Sequence, residues 1–181
     1  MNKTFIIGGI IAVGIILVGG VFLVSKPDKS ASTTPTTSKY KWQKLPDLGR
    51  VHVDEGEKIK YNSNPPTSGS HNPVWETYGI KEKPVVDEKL VHSLEHGYII
   101  MSYNCAKLSK NVSCDTLKKQ ITDLANQKRV WKVIVIPRPE LDVPVALTAW
   151  TYLDKMDSFD KERASAFIEE FRDKGPEQTM E

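Results

Sequence analysis

The stretch that decides the fold is Leu90–Tyr103, LVHSLEHGYIIMSY, in which a helix pattern runs directly into a strand pattern. Apolar residues recur at helical spacing and predict a helix that ends at His96. Asp87 is a typical N-cap residue for this helix. Gly97 suits the helix end, because glycine readily adopts the left-handed backbone that closes many helices. Residues 98–103 then predict a buried strand.

Further toward the C-terminus, the same two patterns alternate. They predict a helix over 115–128, a strand over 131–136, a returning antiparallel strand over 145–153 and a helix over 160–174. Elements in this order indicate an α+β domain with a small, mainly antiparallel sheet and helices packed on one face. We expect one shared core formed by Ile99, Ile100, Leu117, Ile121, Leu124, Val133, Val135, Leu147, Phe167 and Phe171.

Toward the N-terminus, residues 5–24 form an unbroken apolar run, FIIGGIIAVGIILVGGVFLV. At about 1.5 Å per residue this run spans a hydrocarbon core of about 30 Å, and no small-x-small cleavage site follows it. It therefore predicts an uncleaved transmembrane anchor preceded by a cytoplasmic N-terminus, 1–4. A disordered Ser/Thr/Pro tether follows over 25–39. We then expect a single domain, 40–177, and a short tail, 178–181.

Cys105 and Cys114 are the only two cysteines of the chain. Their spacing is compatible with one loop-closing disulfide and does not match the redox motif Cys-x-x-Cys. Because such bridges persist outside the cytoplasm, the pair predicts a single-pass protein of the cell membrane with its N-terminus inside and its domain outside. The lysines on either side of the apolar run do not decide this orientation. The net charge of +2, without a basic block, gives no nucleic-acid signature.

All four histidines precede the strand at Tyr98, and they are candidate metal ligands. His92 and His96 lie one helical turn apart and can direct two ring nitrogens at one ion. A third ligand is expected from His71, at the end of a loop stiffened by proline, or from His52 on a short strand. The alternative is a purely structural role, in which these histidines only form hydrogen bonds to neighbouring carbonyl groups.

The identity of the metal and the role of the neighbouring carboxylate stay open. Zinc and copper both accept imidazole ligands, and Met101, as a soft ligand, would favour copper. Glu95 would orient an imidazole in a metal-binding module, or act as the base in a zinc hydrolase, because His-x-x-Glu-His resembles the inverted zincin motif. A further alternative is a non-catalytic module that binds protein or peptide through the Pro-rich loop and Tyr61, Trp75 and Tyr78.

Three motifs give the chain a family resemblance. They are YNSNPPTSGSH at 61–71, LVHSLEHGY at 90–98 and KGPE at 174–177, and together they resemble the bacterial domain-of-unknown-function family 3105. The resemblance runs from about Arg50 to Glu177. Members of that family are commonly predicted to be membrane-anchored and have no established activity. The resemblance therefore implies a shared architecture and a shared site, and it implies no particular reaction. The residues at matching motif positions are His71, His92, Glu95 and His96.

Overall fold

The computed structural model describes residues 39–179. The predicted N-terminal tail, membrane anchor and all but the last residue of the tether lie outside this range. Among the described residues, no helix combines the length and apolar character needed to cross a membrane. The described part is an α+β domain whose elements are β1 Gln43–Lys44, β2 Gly79–Ile80, α1 Asp87–Glu95, β3 Ile99–Tyr103, α2 Cys114–Gln127, β4 Val133–Pro137, β5 Val145–Ala149, β6 Tyr152–Met156 and α3 Lys161–Phe171.

The six strands form one mixed sheet in the order β1-β6-β5-β3-β4-β2. β3 lies at its centre, where Met101 pairs in parallel with Val135 of β4 and antiparallel with Leu147 of β5. Three of the five strand pairs within residues 39–179 are antiparallel, which agrees with the predicted mainly antiparallel sheet. The sheet is nevertheless mixed, because β4 forms parallel pairs with both β3 and β2. The reason is α2, which crosses over the sheet between β3 and β4 and returns the chain in the same direction.

The helices cover both faces of the sheet, not one face as predicted. Ile99 and Met101 of β3 face α2 and α3, whereas Ile100 faces Leu90 and Leu94 of α1. Successive residues of a strand point to opposite faces, so a continuous apolar strand needs a cover on each side.

This alternation also divides the predicted core. Ile100 belongs to the cluster under α1, and Phe171 lies partly exposed at the margin of the cluster under α2 and α3. The other predicted core residues do pack together, namely Ile99, Leu117, Ile121, Leu124, Val133, Val135, Leu147 and Phe167.

Two local predictions also need correction. The strand predicted over 145–153 is a hairpin, in which Trp150 and Thr151 form the turn between β5 and β6. Its sequence carries no Asn-Gly or Asp-Gly turn signal, although Thr151 adopts a φ of 63°. Asp87 is not the N-cap of α1; Val86 holds that position, and Asp87 lies in the first turn with its carboxylate paired to the guanidinium of Arg138.

The predicted disulfide is present. Cys105 and Cys114 are bonded, with their Cα atoms 5.2 Å apart, and they close the loop between β3 and α2. α2 begins at this bridge, and Ser113 caps it by accepting a hydrogen bond from the Thr116 amide.

The irregular segment before α1 covers the side of that helix that faces away from the sheet. Ser93 Oγ donates to the Glu76 carbonyl at 2.8 Å, and the Asn72 amide donates to the Glu88 carbonyl at 3.2 Å. α1 is therefore buried on two sides, and its polar residues His92 and Glu95 are enclosed between the helix and this segment.

Candidate metal centre

Two histidines reach the outer side of α1 from the irregular segment. His52 and His71 form a parallel β-bridge, in which the His71 amide donates to the Val51 carbonyl and the Val53 amide donates to the His71 carbonyl. Their ring centroids are 5.0 Å apart. This short bridge places two imidazoles side by side although 19 positions separate them in the chain.

α1 supplies two more groups from one face, because His92 and Glu95 are three residues apart. The His92 ring lies 4.8 Å from the His71 ring and 4.9 Å from the His52 ring. Glu95 Oε2 lies 2.9 Å from His71 Nε2 and 4.0 Å from His52 Nε2. One ligand atom from each of the four residues lies within 4.8 Å of every other. We call these four residues the His/Glu cluster.

Backbone carbonyls orient two of the imidazoles. His71 Nδ1 lies 2.7 Å from the Gly69 carbonyl oxygen, and His92 Nδ1 lies 2.7 Å from the Asn72 carbonyl oxygen. A carbonyl oxygen only accepts, so in the neutral imidazole each Nδ1 carries the proton and each Nε2 keeps its lone pair. Metal-binding histidines are commonly held in this way.

Burial of the Glu95 carboxylate favours a positive charge close to it in the cluster. The Glu95 side chain is 3% exposed, and the guanidinium of Arg50 approaches its Oε1 only to 3.7 Å. With a neutral imidazole, His71 Nε2 and Glu95 Oε2 lack a hydrogen bond within residues 39–179, and their separation of 2.9 Å is ion-pair distance when His71 carries a proton on both nitrogens. Two atoms so placed suit ligands of a single cation, since ligand atoms about 2.0 Å from a tetrahedral zinc are about 3.3 Å apart.

Burial, together with the neighbouring imidazoles of His71, His96 and His52, lowers the pKa of His92 to about 4. The hydrogen bond to the Asn72 carbonyl acts in the opposite direction. His92 is therefore neutral at neutral pH, which is the form that binds a metal.

The other predicted site residues occupy different positions. His96 Nε2 lies 3.1 Å from His92 Nε2, but His96 is not one of the four clustered residues. Met101 does not reach the cluster; it is fully buried on the opposite face of the sheet, under α2 and α3. Glu95, predicted to orient an imidazole, lies among the candidate ligands themselves, and its three-residue spacing from His92 was the available sequence signal.

The aromatic residues of the predicted interaction surface contact other parts of the domain. Tyr61 donates its hydroxyl to the Ser70 carbonyl at 2.8 Å, and the Tyr78 ring lies 6.3 Å from that of Tyr98. The Trp75 ring lies 4.9 Å from the His96 ring and 5.5 Å from the His92 ring, and it is partly exposed. Trp75 thus covers one side of the histidines, a role that its sequence position did not indicate.

The fold and the cluster together define an α+β domain with a largely buried group of three histidines and one glutamate beside its first helix. The family model described as "Protein of unknown function (DUF3105)" matches residues 52–181, and the chain belongs to this family. The match includes all four residues of the His/Glu cluster. No curated protein and no solved structure matches the chain.

Proposed function

We propose that this domain binds one divalent transition-metal ion, zinc in the first instance, through His52, His71, His92 and Glu95. The observation that carries the proposal is the convergence of four ligand atoms within 4.8 Å of one another. The carbonyl groups that hold two imidazoles direct the Nε2 lone pairs of His71 and His92 into the cluster, where His92 Nε2 would exchange its 3.1 Å contact with His96 Nε2 for the metal. A divalent ion would balance the buried Glu95 carboxylate.

The donor set narrows the choice of metal. Three imidazoles and one carboxylate suit Zn²⁺ and also Cu²⁺. Met101, the soft ligand that would favour copper, lies in the core on the other side of the sheet. Without that sulfur, the cluster offers nothing that would select Cu⁺ over a divalent ion.

The ligand geometry favours metal binding over hydrolysis. In an inverted zincin motif both histidines of the helix bind zinc and the glutamate activates water. Here Glu95 lies among the four clustered groups and His96 lies outside them. The arrangement therefore supports Glu95 as a ligand, and the function we propose is metal binding itself.

We place this metal-binding domain on the outer side of the cell membrane, attached by residues 5–24. Support comes from the length and apolar character of that run in the sequence. The Cys105–Cys114 disulfide adds to it, because such a bridge persists in an oxidising compartment.

Calorimetric titration of the detergent-purified, metal-free full chain tests the proposal. One Zn²⁺ should bind per chain, and Cu²⁺ should compete for the same site. Glu95→Gln keeps the side-chain volume and should lower zinc affinity by more than about tenfold. His71→Ala should lower it further, because an imidazole ligand is lost.

Glu88→Gln is the matched control, since Glu88 is also a buried carboxylate of α1 but bonds to the Ile59 amide outside the cluster. It should leave zinc affinity within about twofold. His96→Ala should retain one bound zinc, which separates the four-residue site from one built on the His92 and His96 pair. Equal loss of affinity in Glu88→Gln and Glu95→Gln, or absence of binding by the wild-type chain, would overturn the proposal.

A further inference from the structure

The C-terminal segment lies across the end of α1 that carries Glu95. We call residues 173–177 the strap. The Asp173 amide donates to the Gly97 carbonyl at 2.8 Å, and the Glu177 amide donates to the Glu95 carbonyl at 3.1 Å. These bonds hold both ends of the strap against the backbone at the end of the helix.

A buried lysine completes the contact. Lys132 is 0% exposed, and its Nζ donates to the His96 carbonyl at 3.0 Å and to Asp173 Oδ1 at 2.6 Å. The last carbonyl groups of an α-helix have no partner within the helix. Here the carbonyl of Glu95, the last helical residue, and those of His96 and Gly97 just after it each receive a donor. The positive charge of Lys132 also suits the negative end of the helix dipole.

At Gly175 the strap lies close against the backbone at the end of α1. A Cβ atom at this position would overlap the Glu95 carbonyl oxygen and the Gly97 amide nitrogen, so only glycine fits without a backbone shift. The next residue, Pro176, accepts a hydrogen bond from Arg50 Nη1 at 3.4 Å. The same Arg50 nitrogen lies 3.7 Å from Glu95 Oε1.

We propose that the strap is a positioning element of the metal centre. It fixes the Glu95 backbone through Gly175 and Glu177, and it holds the Arg50 guanidinium beside Oε1 of the same carboxylate. Oε2 is then the oxygen presented to His71 and His52. This inference rests on the proposed metal binding, and it gives the Lys174-Gly-Pro-Glu177 motif a role in the site.

The coupling must be reciprocal. If a docked strap favours metal binding, then bound metal favours the docked strap by the same factor. Substitutions in the strap should therefore change metal affinity, and metal should protect the strap.

The first experiment compares two glycine substitutions in the full chain. Gly175→Ala should lower zinc affinity by about tenfold or more and should change the visible spectrum of the Co²⁺-loaded protein, because the carboxylate ligand is displaced. Gly79→Ala is the control: its φ of 128° makes alanine strained there, but the new methyl group would meet nothing within 4 Å. It should lower stability while leaving zinc affinity within about twofold and the Co²⁺ spectrum unchanged.

A second measurement uses the wild-type chain and does not depend on the folding of a variant. Zinc should slow amide hydrogen exchange in the peptide covering 173–179 by about the same factor as the affinity change in the first experiment. Two results would overturn the role of the strap but not the proposed metal binding. The first is a wild-type chain that binds metal while exchange in this peptide stays unchanged, and the second is a folded Gly175→Ala variant with wild-type affinity and spectrum. The role of the strap falls together with the proposed function if the wild-type chain binds neither Zn²⁺ nor Co²⁺.

Discussion

Asn72 and Gly69 contribute to the candidate centre through their backbones, since their carbonyl oxygens accept the Nδ1 protons of His92 and His71. Contacts of this kind do not depend on residue type, so no sequence motif could have shown them. The i,i+4 spacing of His92 and His96 did point to α1, the helix that carries two of the four clustered residues. It did not indicate that the other clustered side chain on α1 is Glu95 rather than His96.

The buried imidazole of His92 leads to a pH prediction for the metal-free protein. Its pKa is about 4 in the folded state and near its ordinary value of about 6.5 in the unfolded state. Above about pH 6.5 both states are neutral and the contribution to stability is complete. Between about pH 6.5 and 4 only the unfolded state takes up the proton, so the free energy of unfolding should fall, by on the order of 3 kcal/mol in total.

Urea denaturation in the presence of a chelator, at several pH values between 7.5 and 4.5, measures this loss. His92→Gln removes the titrating group, so the variant should show a shallower dependence on pH over the same interval. An identical dependence in the two proteins would contradict the assignment.

Among the elements, α2 and α3 were predictable from local sequence, and the structure places each within a few residues of the expected bounds. Both have a regular apolar stripe and a polar N-cap residue, Ser113 and Asp160 respectively, and these features are local. The β5–β6 hairpin was missed because its turn, Trp150–Thr151, lacks the usual turn residues. The placement of α1 on the opposite face from α2 and α3 depends on long-range packing, which helical spacing does not encode.

α3 provides a test of the packing. Phe167 is fully buried and its ring meets Trp42 edge-on at 5.7 Å, whereas Phe171 is partly exposed and stacks on Tyr152 at 4.2 Å. Phe167→Ala should therefore cost about 3–5 kcal/mol of unfolding free energy. Phe171→Ala should cost clearly less, because less apolar surface is lost from the core. Chemical denaturation of both variants measures the difference, and equal losses would show that the two rings are buried alike.

At the scale of the whole molecule, the candidate centre joins residues from His52 to Glu95, which two loops and a helix bring together. The residues between His52 and the start of α1 are rich in proline, glycine and serine and have no regular helical or strand period. Their path over α1 therefore could not be predicted, although the motifs that carry their histidines could be recognised. The strap could not be predicted for a similar reason. Gly175 lies close to the end of α1 only once the C-terminal segment has folded against that helix.

The proposed location outside the membrane predicts labelling from that side. Lysines such as Lys58 and Lys119 have side chains that are 75% and 74% exposed, so a membrane-impermeant amine reagent should modify the domain in intact spheroplasts. Mass spectrometry of the purified chain identifies the modified lysines, and an endogenous cytoplasmic protein should stay unlabelled. Labelling of the domain only after lysis would place it on the inner side.

His52 differs from the other clustered groups in how it is held. Its side chain is 49% exposed, and a single β-bridge keeps it beside the three buried groups. Under the proposed function, His52 is therefore the ligand that detaches most easily. Its rate of detachment would set how fast an ion is exchanged with a competing chelator or an incoming carrier. The three buried groups would set the affinity for the ion, so affinity and exchange kinetics would depend on different residues.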